Sequence, residues 1–298
     1  MSTDVTTADQ ATDPSHARDH EGGLSFVGVL HSELIKLSSL RSIRWVTAVT
    51  LFLALILSLG LSALNNAAIS EQGMTREMIT QQGGDQIPSF VQQSATFSTG
   101  FTQLVIAILG VLAITGEYST GMIRSTMTAG PKRLPVFGAK AIIITGYAFV
   151  IGLICSFGGG LIATLTLNVL QPSDLFNGKV AIDLVNNALF LALVALMAFA
   201  LGTLVRNAAG AIAGMMGLLF VLPIAANIAS STQQEWLTKA IDFLPSNLAR
   251  VLYSSQTAGE QMAMQGNALG YGTALIGLLC WTAVLLIPAG VLLKTRDV

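Results

Sequence analysis

GEYSTGMIRSTMTAGPKRLPVFGAK, Gly116 to Lys140, gathers Arg124, Lys132, Arg133 and Lys140 between two long runs that hold no charge at all. The uncharged gap before it runs from Asp85 to Glu117, and the one after it from Lys140 to Asp174. Each exceeds the roughly 20 residues that a helix needs to cross about 30 Å of hydrocarbon. A polar connection this compact between two apolar runs reads as a loop on one face of a membrane. It also suggests a handle by which something on that face moves the embedded part.

The rest of the chain repeats the pattern. It has 298 residues, 52% hydrophobic and only 10% charged, where ordinary soluble domains carry roughly 25% charged residues. Its mean hydropathy is +0.67. Four further uncharged gaps run from Arg44 to Glu71, Asp183 to Arg206, Arg206 to Glu235 and Glu260 to Lys294. The gaps predict six spans, over about residues 45–64, 98–115, 141–168, 183–205, 208–229 and 270–293. The runs lack the alternating period of a membrane strand, and an unclosed sheet in lipid would leave backbone donors unpaired. The expected fold is therefore an all-α integral membrane protein, a six-span helical bundle occupying residues 45–298.

Lys and Arg set the orientation, because basic loops stay on the cytoplasmic side. With both termini inside, eleven of the 15 basic residues are inner, and only Arg76, Lys179, Lys239 and Arg250 are outer, while the 16 acids divide evenly. Both termini are expected in the cytoplasm. Residues 1–23 are polar, with Asp4, Asp9, Asp13, Asp19 and Glu21, and read as a disordered cytoplasmic tail rather than a cleaved signal peptide. The plasma membrane of a bacterium fits this plan.

Residues 24–44 place Val27, Leu30, Leu34 and Leu37 on one helical stripe, with Glu33 and Lys36 off it and Arg41 and Arg44 within reach of phosphates. This is an amphipathic interface helix or a plain juxtamembrane anchor. The outer loop 65–97, with QQGGDQ at 81–86, shows little apolar period and reads as a partly ordered surface loop. The outer loop 230–268 holds two short apolar faces, Leu237 to Leu244 and Leu248 to Leu252, interrupted at Pro245-Ser246-Asn247. Two short helices too brief to cross, re-entrant between spans five and six or lying as a cap, account for them. Gly158 to Gly160 and Gly210 to Gly214 offer small surfaces for close helix approach, and Pro223 and Pro288 should kink their spans. Cys155 and Cys280 read as small packing residues.

Catalytic constellations are missing. There is no HExxH, GxSxG or phosphate-binding loop, and His16, His20 and His31 lie in the tail and surface helix. The spans read as carrying no ionisable side chain that could relay protons or bind a coupling ion. Uphill transport by this chain would need power from another subunit. The loop 116–140 is where that subunit could push. Thr115 can cap a short helix starting near Gly116, with Glu117 in its first turn, and Gly130-Pro131 would stop it.

Three segments carry a family resemblance. ITGEYSTGMIRSTMTAGPKRLPVFGAKA resembles the cytoplasmic signature of permease subunits of ATP-binding cassette exporters of the type-2 (ABC-2) family. SELIKLSSLRSIRW is similar to the E-x-x-K-L-x-S-x-R segment that leads into the first span of those permeases, and IDFLPSNLARVL to the segment after their fifth. The resemblance implies a non-catalytic permease subunit paired with a second permease copy or paralogue and with separate ATPase subunits. ATP and Mg would sit on those ATPases, and no cofactor in this chain. It makes 116–140 the coupling loop, with Glu117, Tyr118, Gly121, Arg124, Lys132 and Arg133 as ATPase-coupling residues. Glu33, Lys36 and Arg41 belong to the interface helix. The implied function is export of a lipophilic or amphipathic solute across the plasma membrane, in contact with membrane lipid and without nucleic acid. A membrane scaffold or sensor that recruits a soluble cytoplasmic partner without transport is the alternative.

Overall fold

The computed structural model describes residues 26–82, 86–120, 133–229, 235–257 and 269–295. The tail at 1–23 lies outside them. A first helix, α1 (Phe26–Ser39), ends at Leu40, whose extended backbone (φ −69°, ψ 120°) turns the chain into the long α2 (Arg41–Glu71). Then come α3 (Arg76–Gln82), α4 (Gln86–Thr96), α5 (Thr99–Thr120) and α6 (Arg133–Thr166). A 3-10 turn at Pro172–Phe176 leads to α7 (Gly178–Val205). The fifth apolar helix is built of α8 (Ala208–Met216), a π-helical stretch at Gly217–Val221 and α9 (Leu222–Ala229). Two short helices, α10 (Glu235–Asp242) and α11 (Pro245–Ser254), precede α12 (Tyr271–Thr295).

Six helical stretches are long and apolar enough to cross a membrane. They match the six uncharged gaps, and among the described residues no strand occurs. α7 is the axis: 72% of its most apolar window is buried, against 17% in the fifth and sixth spans. Small residues let its neighbours close in. A Cβ added at Gly152 of α6 would lie 2.8 Å from the Ala188 Cα of α7, and Gly110 of α5 meets the Ala195 backbone and Ala198 just as closely. Gly159, within the predicted glycine run, sits against Ser58 and Ala95.

Residues 65–97 are not the loop that their polar composition suggested. α2 runs on to Glu71, and α3 and α4 fill most of the remaining stretch up to Phe97. Ile87, Val91 and Ala95, spaced by four, bury one stripe of α4 against Ala163 and Leu167 in a second apolar cluster at this end. Gln92, Ser94 and Thr96 are buried beside them, and these polar residues hid the period. The corner is tied by Arg76, which holds Asp174 through two hydrogen bonds of 2.7 and 2.8 Å and donates to the Val169 carbonyl at 2.8 Å. The hydrogen bond from Arg76 holds the Asp174 carboxyl below its ordinary value despite partial burial, and the same bond raises Arg76.

The short pair α10 and α11 reaches deep into the bundle. Pro245 opens α11 at the position where a missing N–H costs nothing. The turn before it lies beside mid-helix positions: Trp281 Nε1, about 15 Å along α12 by helical rise, donates to the Phe243 carbonyl at 2.9 Å. Ser246 Oγ donates to the Leu219 carbonyl at 2.9 Å. Pro223 has no N–H for that carbonyl four residues back, so the Ser246 hydroxyl serves a group left open by the proline. At its other end, α11 gives the Leu252 and Tyr253 carbonyls to Asn186 and Gln92. Buried Asp183 accepts from Thr257 N at 3.0 Å, Thr257 Oγ1 at 2.9 Å and Gln256 N at 3.2 Å. A short helix in apolar surroundings needs such partners for its terminal groups.

Candidate functional site

At the opposite end of the bundle, α1 lies against α6 and meets the last turns of α5 through Lys36 and Glu117. Its buried face differs from the predicted stripe. Val27 and Leu34 are exposed, whereas Glu33 and Leu37 are buried. The physical reason is Lys140, which stands on α6 and draws the Glu33 carboxylate inward.

Lys140 Nζ donates to Glu33 Oε2 at 2.5 Å and to Glu117 Oε1 at 2.7 Å. Lys36 Nζ, one turn along α1, donates to Glu33 Oε1 at 2.8 Å and stands 3.9 Å from Glu117 Oε1. Two ammoniums thus alternate with two carboxylates, and the cluster is neutral. Burial pushes the Glu33 carboxyl up, but the charge and hydrogen bond of Lys140, helped by Lys36, outweigh it and leave the group below its ordinary value. Removing Lys140 or Glu33, the two buried members, leaves an uncompensated charge, at about 3–5 kcal/mol. A cavity of about 280 Å³ lies beside the cluster, walled by Leu37, Leu40, Ile43, Leu112 and Gly116.

Tyr118, next to Glu117, packs under another connection. α7 ends on Arg206, whose left-handed backbone (φ 56°) turns the chain toward α8, and its guanidinium lies 5.5 Å from the Tyr118 ring centre. The segment Glu117-Tyr118 therefore touches α1, α6 and the α7–α8 turn at once.

Of the residues singled out in the sequence, Glu33, Lys36 and Glu117 come together, and Tyr118 adjoins them. Arg41 is exposed at the start of α2 and takes no part in the cluster. Arg133 begins α6, and Gly121, Arg124 and Lys132 lie outside the described residues. The short helix expected to start near Gly116 is corrected: α5 continues through that position to Thr120. Thr115 caps nothing, because its buried hydroxyl donates to the Val111 carbonyl at 2.9 Å in its own helix. The spans are also not free of ionisable groups, since Glu117, Lys140 and Asp183 enter the long helices near their ends and are paired there. The sequence marks Lys140 only as part of the basic connection 116–140. Its partners are remote in sequence, and only its position at the edge of an uncharged run set it apart.

Among the described residues no three His, Cys, Asp or Glu side chains gather as a metal site would require. Fold and site define an all-α multi-pass membrane protein. No protein-family model matches the chain, and no curated protein matches it significantly.

Proposed function

We propose that this chain is the transmembrane permease subunit of an ATP-binding cassette exporter of the ABC-2 kind. ATP hydrolysed on a separate subunit would drive a lipophilic or amphipathic solute across the plasma membrane. The observation that carries the reading is the Lys140 junction. It ties the interface helix through Glu33 to the end of the second span through Glu117, so a push on the segment after Tyr118 moves α1, α5 and α6 together. A buried, fully paired charge set transmits displacement where a solvated loop would absorb it.

On this reading both termini face the cytoplasm, the segment 116–140 meets the ATPase, and the α10–α11 pair is re-entrant from the outer side. A second permease, identical or related, completes the transporter. The test is reconstitution of the chain with its ATPase in vesicles. Glu117→Ala combined with Arg124→Glu is expected to abolish ATP-dependent export and leave membrane insertion intact. Normal export by that double variant overturns the coupling assignment. Copurification of a partner that lacks ATPase activity, with no transport, points instead to a scaffold or sensor.

A further inference from the structure

A larger cavity, about 590 Å³, opens at the far end of the bundle from the charge cluster, between α4 and α11. Its volume falls in the range of small-molecule sites, roughly 300–1,000 Å³. One face of α4, Gln86, Phe90 and Gln93, with Phe97 in the turn that follows, supplies a wall of alternating amides and phenyl rings, and Arg250 and Tyr253 of α11 supply the other. The two helices are pinned on either side of the groove. Gln92 Nε2 donates to the Tyr253 carbonyl at 3.0 Å, and Ser89 Oγ to the Thr257 carbonyl at 3.0 Å. The walls are thus set by hydrogen bonds before any ligand arrives, which lowers the ordering cost of binding.

The charge pattern narrows the ligand. Among the described residues no acidic side chain lines the cavity. Among the described residues Arg250 has no ion-pair partner; Asp242 feels its charge but stands beyond ion-pair distance. A planar guanidinium matches a carboxylate or phosphate. Amide donors on the opposite wall fit the same head group, and Phe90 and Phe97 fit an attached hydrocarbon chain. The α4–α5 break directly after Phe97 also places the site where a helix is interrupted, as at many membrane binding sites.

We infer that the α4–α11 groove binds an anionic amphipath, a single acyl chain whose carboxylate or phosphate head is held by Arg250. This goes beyond the coupling reading and stands without it, since binding here needs neither ATP nor an ATPase. The experiment uses the full chain in phosphatidylcholine nanodiscs and measures saturable binding of three radiolabelled probes: dodecanoate, lysophosphatidate and neutral monolaurin. One or both anionic probes are expected to saturate, at least about tenfold tighter than monolaurin. Preference between the two distinguishes a fatty acid from a phosphate head.

Arg250→Gln should weaken the anionic probe at least about tenfold, while Arg250→Lys stays within about threefold. Gln93→Glu, on an exposed position of the opposite wall, should repel the same probe to a similar extent and does not depend on Arg250 for folding. Wild-type binding by both Arg250→Gln and Gln93→Glu overturns the inference. So does unsaturable uptake of all three probes, or equal affinity for monolaurin. Export lost by Glu117→Ala with probe binding intact separates this site from the coupling site.

Discussion

Ser246, in the first turn of α11, donates its hydroxyl to the Leu219 carbonyl at 2.9 Å, in the middle of the fifth span. Pro223 leaves that carbonyl without its helical donor. The proline and the inserted helix are therefore two halves of one arrangement. Ser246→Ala removes the donor and leaves the carbonyl buried without it, so the protein should lose about 1–3 kcal/mol. Ser246→Ala combined with Pro223→Ala, which restores an N–H to the fifth span, should recover part of that loss. Thermal unfolding in detergent checks both, and equal melting of the single variant and wild type would show that the bond contributes nothing.

The charge cluster makes a prediction of a different kind, about non-additivity. Lys140→Met leaves the carboxylates of Glu33 and Glu117 with only Lys36 between them, one negative charge uncompensated, and unfolding should move by about 3–5 kcal/mol. Adding Glu33→Gln removes the excess charge and leaves Lys36 with Glu117, so the double variant should be more stable than Lys140→Met alone. Additive losses would mean that the groups act independently, against the geometry.

Asp174 and Arg76 give a pH signature. The native Asp174 carboxyl is held below its ordinary 3.8 by the Arg76 hydrogen bond. Its contribution is therefore present above the unfolded value and fades as pH falls through the lower native one. Asp174→Asn should melt below wild type near neutrality, and the gap should close as pH drops below about 3.8. A gap that stays constant well below that pH would assign the effect to shape rather than charge.

The contact of α6 with α7 rests on a missing side chain. Gly152→Val places carbon against the Ala188 backbone, where even a Cβ would stand 2.8 Å away, and overpacking of this kind typically costs about 1–3 kcal/mol. Gly146→Ala, where nothing lies within 4 Å of an added Cβ, is the control and should be neutral. Their ratio of folded yields in membranes reports the difference.

Much of the architecture could be read from the residues in order, and the misreadings have definite causes. Periodicity failed over 65–97 because α4 buries Gln92, Ser94 and Thr96 along with its apolar stripe. It failed in α1 because Glu33, which belongs on the wet face by composition, is drawn inward by Lys140. The cluster itself joins Glu33 to a lysine 107 positions away, and no local pattern announces such a pair.

The order of the residues alone determined how many helices are long and apolar enough to cross a membrane, because an uncharged run of that length has few alternatives to a helix that satisfies its own backbone. Tertiary structure decided how each helix is rotated and which charges meet. Spans that are apolar on every side set no rotation by hydrophobicity, so glycine contacts such as Gly152 on Ala188 and the three-way hold on Lys140 fix it instead.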